Sequence, residues 1–120
     1  MGMPLYGQSF TLSSASNNGL NAPTIGGGSA GPFTGQSGLL AYFEICDFIN
    51  DGWTVVAPTD NRGPYAYNGN QWVGYDDEDT IRTKVSIIVN YTGLYLLIYY
   101  LSRTSITFGN KFLVINSRST

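Results

Sequence analysis

Residues 64–75, Pro-Tyr-Ala-Tyr-Asn-Gly-Asn-Gln-Trp-Val-Gly-Tyr, set an Asn-Gly pair between two short runs rich in aromatic residues. Asn and Gly accept positive φ, and a type I′ turn made of that pair joins adjacent antiparallel strands, so a β-hairpin is expected here. With Asn68-Gly69 as the turn, Tyr67 pairs with Asn70, Ala66 with Gln71 and Tyr65 with Trp72. Tyr65, Tyr67 and Trp72 then share one face. An aromatic cross-strand pair contributes about 0.2 to 1 kcal/mol, too little to hold a lone hairpin, so that face is expected to pack on a helix or on another domain.

The helix is expected just upstream, over residues 38–50. Leu39, Phe43, Cys46 and Ile49 recur at steps of four, three and three and form one apolar stripe, while Glu44, Asp47 and Asp51 point elsewhere. Ser37 is placed to cap its start and Gly52 to stop it. Residues 53–56, Trp-Thr-Val-Val, read as a short strand closed by Pro58, and residues 3–12 as a strand in which Gly7 allows a close approach or a bend. Between them, residues 13–35 turn to Ser, Asn, Gly, Ala and Pro and read as a long loop that needs neighbours to hold it. Its Gly26-Gly27-Gly28 lacks the Lys-Ser/Thr of a phosphate cradle, which leaves a flexible loop. The unit is α+β.

A chain of 120 residues with 42% hydrophobic and 12% charged residues holds one small folded domain. All eight acidic residues and a single base, Arg62, fall within residues 1–79, whereas residues 80–120 carry five bases and no acid. Those bases, Arg82, Lys84, Arg103, Lys111 and Arg118, are too dispersed for a nucleic-acid patch, so no nucleic-acid partner is expected. No histidine is present, which removes the commonest general base, Ser-His triads and most zinc sites. The one cysteine, Cys46, closes no disulfide within the chain and reads as a small buried hydrophobe. No metal or cofactor is expected. The first residues, Met-Gly-Met-Pro, carry no secretory signal pattern.

Asp76-Asp77-Glu78-Asp79 is the only acidic run. It precedes Thr80 and Ile81, where carboxylates favour a helix N-terminus, and it lacks the spacing of a calcium loop. From Val85 to Thr120 no clean period is visible, and an irregular or only locally helical tail is expected. Residues 86–101 are apolar, but Asn90, Thr92 and Gly93 interrupt them, so a membrane span is weakly supported. Asn90-Tyr91-Thr92 is a glycosylation sequon.

Several ordered motifs carry a resemblance: residues 2–12, Gly-Met-Pro-Leu-Tyr-Gly-Gln-Ser-Phe-Thr-Leu; residues 30–34, Ala-Gly-Pro-Phe-Thr; residues 40–46, Leu-Ala-Tyr-Phe-Glu-Ile-Cys; residues 64–67; and residues 70–77, Asn-Gln-Trp-Val-Gly-Tyr-Asp-Asp. Together they resemble animal chitinases of glycoside hydrolase family 18, over residues 2 to about 84. The resemblance implies that residues 1–12 are the end of the seventh strand of a (β/α)8 barrel (TIM barrel) and residues 13–75 the α+β chitinase insertion domain. Residues 76–84 would open the seventh barrel helix, and residues 85–120 fall outside the match. The tail is then either translated intron, since Val-Ser after Lys84 can be encoded by a splice-donor-like hexamer, or a divergent native segment.

That family hydrolyses chitin through an upstream Asp-x-x-Asp-x-Asp-x-Glu motif, with the substrate's own N-acetyl group as nucleophile, and the motif is absent here. No catalytic residue is therefore expected in this chain. The resemblance implies contacts to chitin or chitooligosaccharides from Tyr6, Gln8, Gln36 and Leu39. Gln8 stands where relatives have Arg or His, and Gln36 where several have Glu, so charge is replaced by neutral amide. Cys46 matches a cysteine whose partner at the end of the barrel is missing, as is the rest of the barrel. The family is secreted. The expected function is a truncated, inactive chitinase fragment carrying part of the sugar-binding cleft, the alternative being a non-catalytic chitinase-like carbohydrate-binding protein.

Overall fold

The structure, a computed structural model, describes residues 2–60 and 62–92. The elements in order are β1 (Tyr6–Leu12), β2 (Thr24–Gly27), β3 (Leu39–Ala41), α1 (Tyr42–Asn50), β4 (Thr54–Val56), β5 (Tyr65–Asn68), β6 (Gln71–Gly74) and α2 (Glu78–Thr92). The strands form one antiparallel sheet in the order β2-β1-β6-β5-β4, with β3 also on β1. The α+β expectation holds, as an antiparallel sheet with two helices.

Directly paired residues share a face of a sheet. On one face Ser9, Val73, Ala66 and Val55 fall in line, and on the other Phe10, Trp72, Tyr67 and Thr54 do. The first face is the core. Leu40, Ile45, Ala66 and Val73 are almost fully buried there, flanked by Phe48, Ile49, Trp53 and Tyr75. Helix α1 lies so close to the sheet that a Cβ on Gly7 would come 2.6 Å from Val73 Cγ2 and 2.7 Å from Ile45 Cδ1. Gly7 is the close approach that its sequence context suggests.

The helix is shorter than its apolar pattern. Residues 39–41 pair with β1 instead of coiling, so α1 begins at Tyr42 with Ala41 as the cap residue, and Ser37 is not its cap. The Ser37 hydroxyl donates to Gly28 O at 2.9 Å. The buried side is centred on Glu44 and Ile45, whereas Phe43 is exposed and Cys46 half-buried. The expected stripe is thus displaced, and Glu44, read as pointing outward, is 1% exposed. Gly52, at φ 101°, does end the helix: its N–H donates to Ile49 O, and Trp53 N–H donates to Phe48 O. The Phe48 and Trp53 rings then stack at 5.0 Å.

The hairpin forms, with Gly69 and Asn70 as its turn. Only Gly69 takes positive φ (57°), which matches a turn of type II′ pattern, not I′. Tyr67 pairs with Trp72, Ala66 with Val73 and Tyr65 with Gly74, each partner two positions beyond the expected one. A slip of two preserves faces, so Tyr65, Tyr67 and Trp72 remain together. This register sets Gly74 opposite Tyr65, and the Trp72 ring lies over Gly74 and against Tyr65, at 5.2 Å between centroids. The aromatic face lies opposite the one that α1 covers, so of the two neighbours expected for it, the helix stripe or another domain, the first is not met.

Residues 13–35 are not a free loop. Their triple glycine forms the end of edge strand β2 and its continuation, with Gly28 N–H donating to Ser9 O and Gly38 N–H to Gly28 O, both at 3.0 Å. A Cβ on Gly28 would fall 2.6 Å from Ser9 Oγ, so the glycine admits close backbone contact.

Helix α2 opens as the acidic run suggests. Asp77 accepts from the Thr80 N–H at 2.8 Å and from its hydroxyl at 2.7 Å, and Asp76 pairs with Lys84. The helix continues to Thr92, so residues 85–92, expected to be irregular or only locally helical, are helical, with Ile81, Val85 and Ile88 at helical spacing and Ile88 buried. Residues 93–120, with the rest of the apolar stretch and tail, lie outside the described residues. Among those described, no helix is long and apolar enough to cross a membrane.

Candidate functional site

The face of the sheet left uncovered by α1 carries an open concavity of about 410 Å3. From β1 it receives Tyr6 and Gln8, from β5 Tyr65, and from β6 Trp72 and Gly74, with Thr80 and Lys84 of α2 at one side and Leu20 and Arg62 at the rim. The lining follows from strand periodicity. Tyr6 and Gln8 are two apart on β1, Gln8 pairs with Gly74, and Gly74 pairs with Tyr65, so the sheet delivers these positions to one side. Gly74 has no side chain, which lets the Trp72 ring lie flat across the strand; a Cβ there would be 3.0 Å from Trp72 Cη2. Phe10 supports Trp72 from β1 at 6.1 Å. The resulting surface combines flat aromatic rings with an exposed amide and a 46% exposed phenol, that of Tyr6. Rings of this kind bind apolar faces of flat ligands, and the polar groups fix their orientation.

Of the four residues expected to meet sugar, Tyr6 and Gln8 line this concavity. Leu39 is half-buried and pairs with Gln8 across β1 and β3, so it continues the same face one strand further on. Gln36 is exposed in the turn before β3, where its carbonyl accepts from Leu39 N–H at 3.4 Å, and it is not in the concavity's lining. Sequence reasoning grouped Tyr65 with Trp72 but did not join them to Tyr6 and Gln8. The signal was the alternation of β1, which puts Tyr6 and Gln8 on one side, yet the choice of partner strand has no local signature.

Four of the carboxylates, those of Glu44, Asp60, Asp76 and Asp77, are engaged within the fold. Burial opposes the ionisation of Glu44, but hydrogen bonds from Thr34 N–H, Ala41 N–H, Phe33 N–H and the Thr34 hydroxyl hold its carboxyl below the ordinary value of 4.5. Asp76 is engaged by Lys84, Asp77 by Thr80 and Asp60 by Arg62. Burial pushes the phenols of Tyr42 and Tyr75 up to about 12, helped by Cys46 beside Tyr42 and by Asp77 and Cys46 beside Tyr75. Among the described residues no group of three or more His, Cys, Asp or Glu could hold a metal ion.

The family model for glycosyl hydrolases family 18 matches residues 1–96. The chain is 52% identical over 90 residues to probable chitinase 10 of Drosophila melanogaster, covering 73% of this chain and 4% of that protein. It is 51% identical over 90 residues to human chitinase-3-like protein 2, covering 75% of this chain and 23% of that protein. In structure it is similar to human YKL-39, described as a pseudo-chitinase with retained chitooligosaccharide binding properties, with a TM-score of 0.70 and 50% identity over 75% of this chain and 24% of that one. The chain therefore spans less than a quarter of the length of these relatives. The match extends past Lys84, as α2 does. With four fifths of its length under the family model and half its residues identical to such relatives over the shared part, this chain belongs to glycosyl hydrolases family 18.

Proposed function

We propose that the chain contributes a wall of a chitooligosaccharide-binding cleft and carries no hydrolytic group of its own. One observation supports this above others: Tyr6 and Gln8, matched by motif to sugar-contacting positions, share a single concavity with the Tyr65 and Trp72 rings. The pyranose ring of N-acetylglucosamine has an apolar C–H face suited to aromatic stacking, and its hydroxyl and acetamido groups suit Gln8 and the Tyr6 phenol. Gln36 and Leu39 extend the wall in this reading. Because Gln8 and Gln36 are neutral, binding depends on stacking and hydrogen bonds and only weakly on salt.

In the same reading residues 1–12 end the seventh barrel strand, 13–75 are the insertion domain, and α2 is the seventh barrel helix. The partner is chitin or its oligosaccharides, with the remainder of a secreted barrel completing the cleft. Hydrolysis needs a general acid, and general acid–base catalysis contributes about 10² to 10⁴-fold. The acids described here are engaged in the fold or lie on exposed surface. A second reading, a non-catalytic chitinase-like carbohydrate-binding protein, is favoured by the similarity to a pseudo-chitinase.

Isothermal titration of the 120-residue chain with N,N′-diacetylchitobiose and chitohexaose tests the wall. Binding that weakens in Tyr6→Ala supports it, and absence of binding at any length refutes it. Release of fluorophore from a fluorogenic chitobioside, lost on mutating an acid of this chain, would refute the non-hydrolytic part.

A further inference from the structure

We propose that Asn90 is an N-glycosylation site and that its glycan screens two exposed apolar residues of α2, Ile87 and Val89. This goes beyond the cleft reading and takes from it only passage through the secretory pathway. Asn90-Tyr91-Thr92 is the single Asn-x-Ser/Thr triplet in the sequence, and its middle residue is not the proline that would block it. Sequons also arise by chance, so the triplet alone permits the reaction and no more. What the fold adds is the direction of the acceptor. From Ile81 on, the buried and half-buried positions of α2 are Ile81, Lys84, Val85 and Ile88, at steps of three, one and three. The exposed polar positions Asp79, Thr83, Ser86 and Asn90 follow at steps of four, three and four and make up the other side. At about 100° per residue, Asn90 stands about 160° around the helix from Ile88, which is 6% exposed.

The same geometry sets what lies beneath a glycan. Ile87 is 40% and Val89 46% exposed, and around the helix they fall about 60° and about 100° to either side of Asn90. A branched, hydrated oligosaccharide on Asn90 covers both and leaves the concavity open, because Lys84, which lines it, is about 9 Å back along the helix axis. The transfer joins Asn90 Nδ2 to C1 of the reducing-end N-acetylglucosamine of a polyprenyl-diphosphate-linked oligosaccharide. The bond from that C1 to the diphosphate breaks, and the lipid diphosphate and one amide proton leave. Residues two apart do not face each other in a helix, so the triplet is read on the extended chain before α2 forms. The folded helix then has one demand to meet, room on its outer side.

The test expresses the full chain behind a cleavable secretory leader in insect cells, with Asn90→Gln, Thr92→Ala, Thr92→Ser and Ser14→Asn beside it. The parent chain is expected to show a mobility shift that peptide-N-glycosidase removes, that Asn90→Gln and Thr92→Ala lose, and that Thr92→Ser keeps. Ser14→Asn completes a second triplet with Ser16 in an exposed turn and should add a further shift. An unmodified parent chain, or a shift that survives Asn90→Gln, would overturn the site. Because the leader supplies the route, that failure counts against Asn90 and leaves the cleft reading to the chitohexaose titration. The glycosylated chain is expected to self-associate, by sedimentation, only at severalfold higher concentration than Asn90→Gln and than the same chain trimmed with an endoglycosidase. Equal association of all three would overturn the screening of Ile87 and Val89.

Discussion

Thr34 donates both its backbone N–H and its hydroxyl to the carboxylate of Glu44, each at 2.9 Å. The Phe33 N–H joins the first oxygen, and the Ala41 N–H reaches the second at 2.8 Å. One side chain near the start of α1 thereby caps its own helix and ties down the turn that precedes β3. Hydrogen bonds to a charged partner contribute about 1.5 to 3 kcal/mol each, and leaving buried donors unpaired costs a similar amount.

Glu44→Gln is accordingly expected to destabilise the fold by about 2 to 3 kcal/mol, since its amide NH2 would face N–H donors. The pH dependence has a definite sign. The folded pKa lies below the unfolded one, so the stabilisation is present above the ordinary value of 4.5 and is lost as pH falls through the folded pKa. Denaturant titrations at neutral and acid pH check both points. The acid loss should be smaller in Glu44→Gln.

Gly31→Ala should disturb the same junction, because the added Cβ would stand 2.7 Å from Glu44 Cδ and 2.8 Å from Leu40 Cδ2. A cost of about 1 to 3 kcal/mol is expected from such overpacking. Gly26→Ala, whose Cβ meets nothing within 4 Å, is the control and should leave the melting midpoint close to that of the parent chain.

The hairpin register is testable at its turn. Gly69 has φ 57° and open space around it, so Gly69→Val should cost about 1 to 2 kcal/mol through backbone strain, while Gly69→Asn costs less. Asn70→Ala is expected to be nearly neutral. Thermal melts of these variants together with Asn68→Ala decide between this turn and one centred on Asn68 and Gly69, for which Asn68→Ala would be the sensitive change.

The phenols of Tyr42 and Tyr75, whose rings lie 6.2 Å apart, should ionise at about 12, well above the ordinary 10.0. A folded pKa above the unfolded one means that the stabilisation is complete below pH 10 and is lost as pH rises from 10 through 12. Ultraviolet titration of the chain against its Tyr42→Phe and Tyr75→Phe variants measures the ionisation. The doubly substituted chain should lose less stability over the same alkaline range.

The elements whose cause is local were legible in the residues alone. The Asp77 cap of α2, the Gly52 stop of α1, the close approach at Gly7 and the shared face of Tyr65, Tyr67 and Trp72 depend on φ preferences, on short polar side chains and on the two-residue period of a strand. All of these are properties of a few consecutive residues. The ordered motifs from Gly2 to Asp77 carried the family in the same way. What the sequence left open depends on segments far apart along the chain. Residues 39–41 suit a helix and became a strand because β1 offers backbone partners there, and the triple glycine became a sheet edge for the same reason. Glu44 looks like a solvent-facing helix residue until the turn at Phe33 and Thr34 brings it donors. The concavity unites Tyr6 and Gln8 with Tyr65 and Trp72 only because β6 chose β1 as its neighbour. Local sequence sets which way a side chain points from its own strand or helix, but the partner it then meets is decided by which distant backbone completes the hydrogen bonds and covers the apolar face.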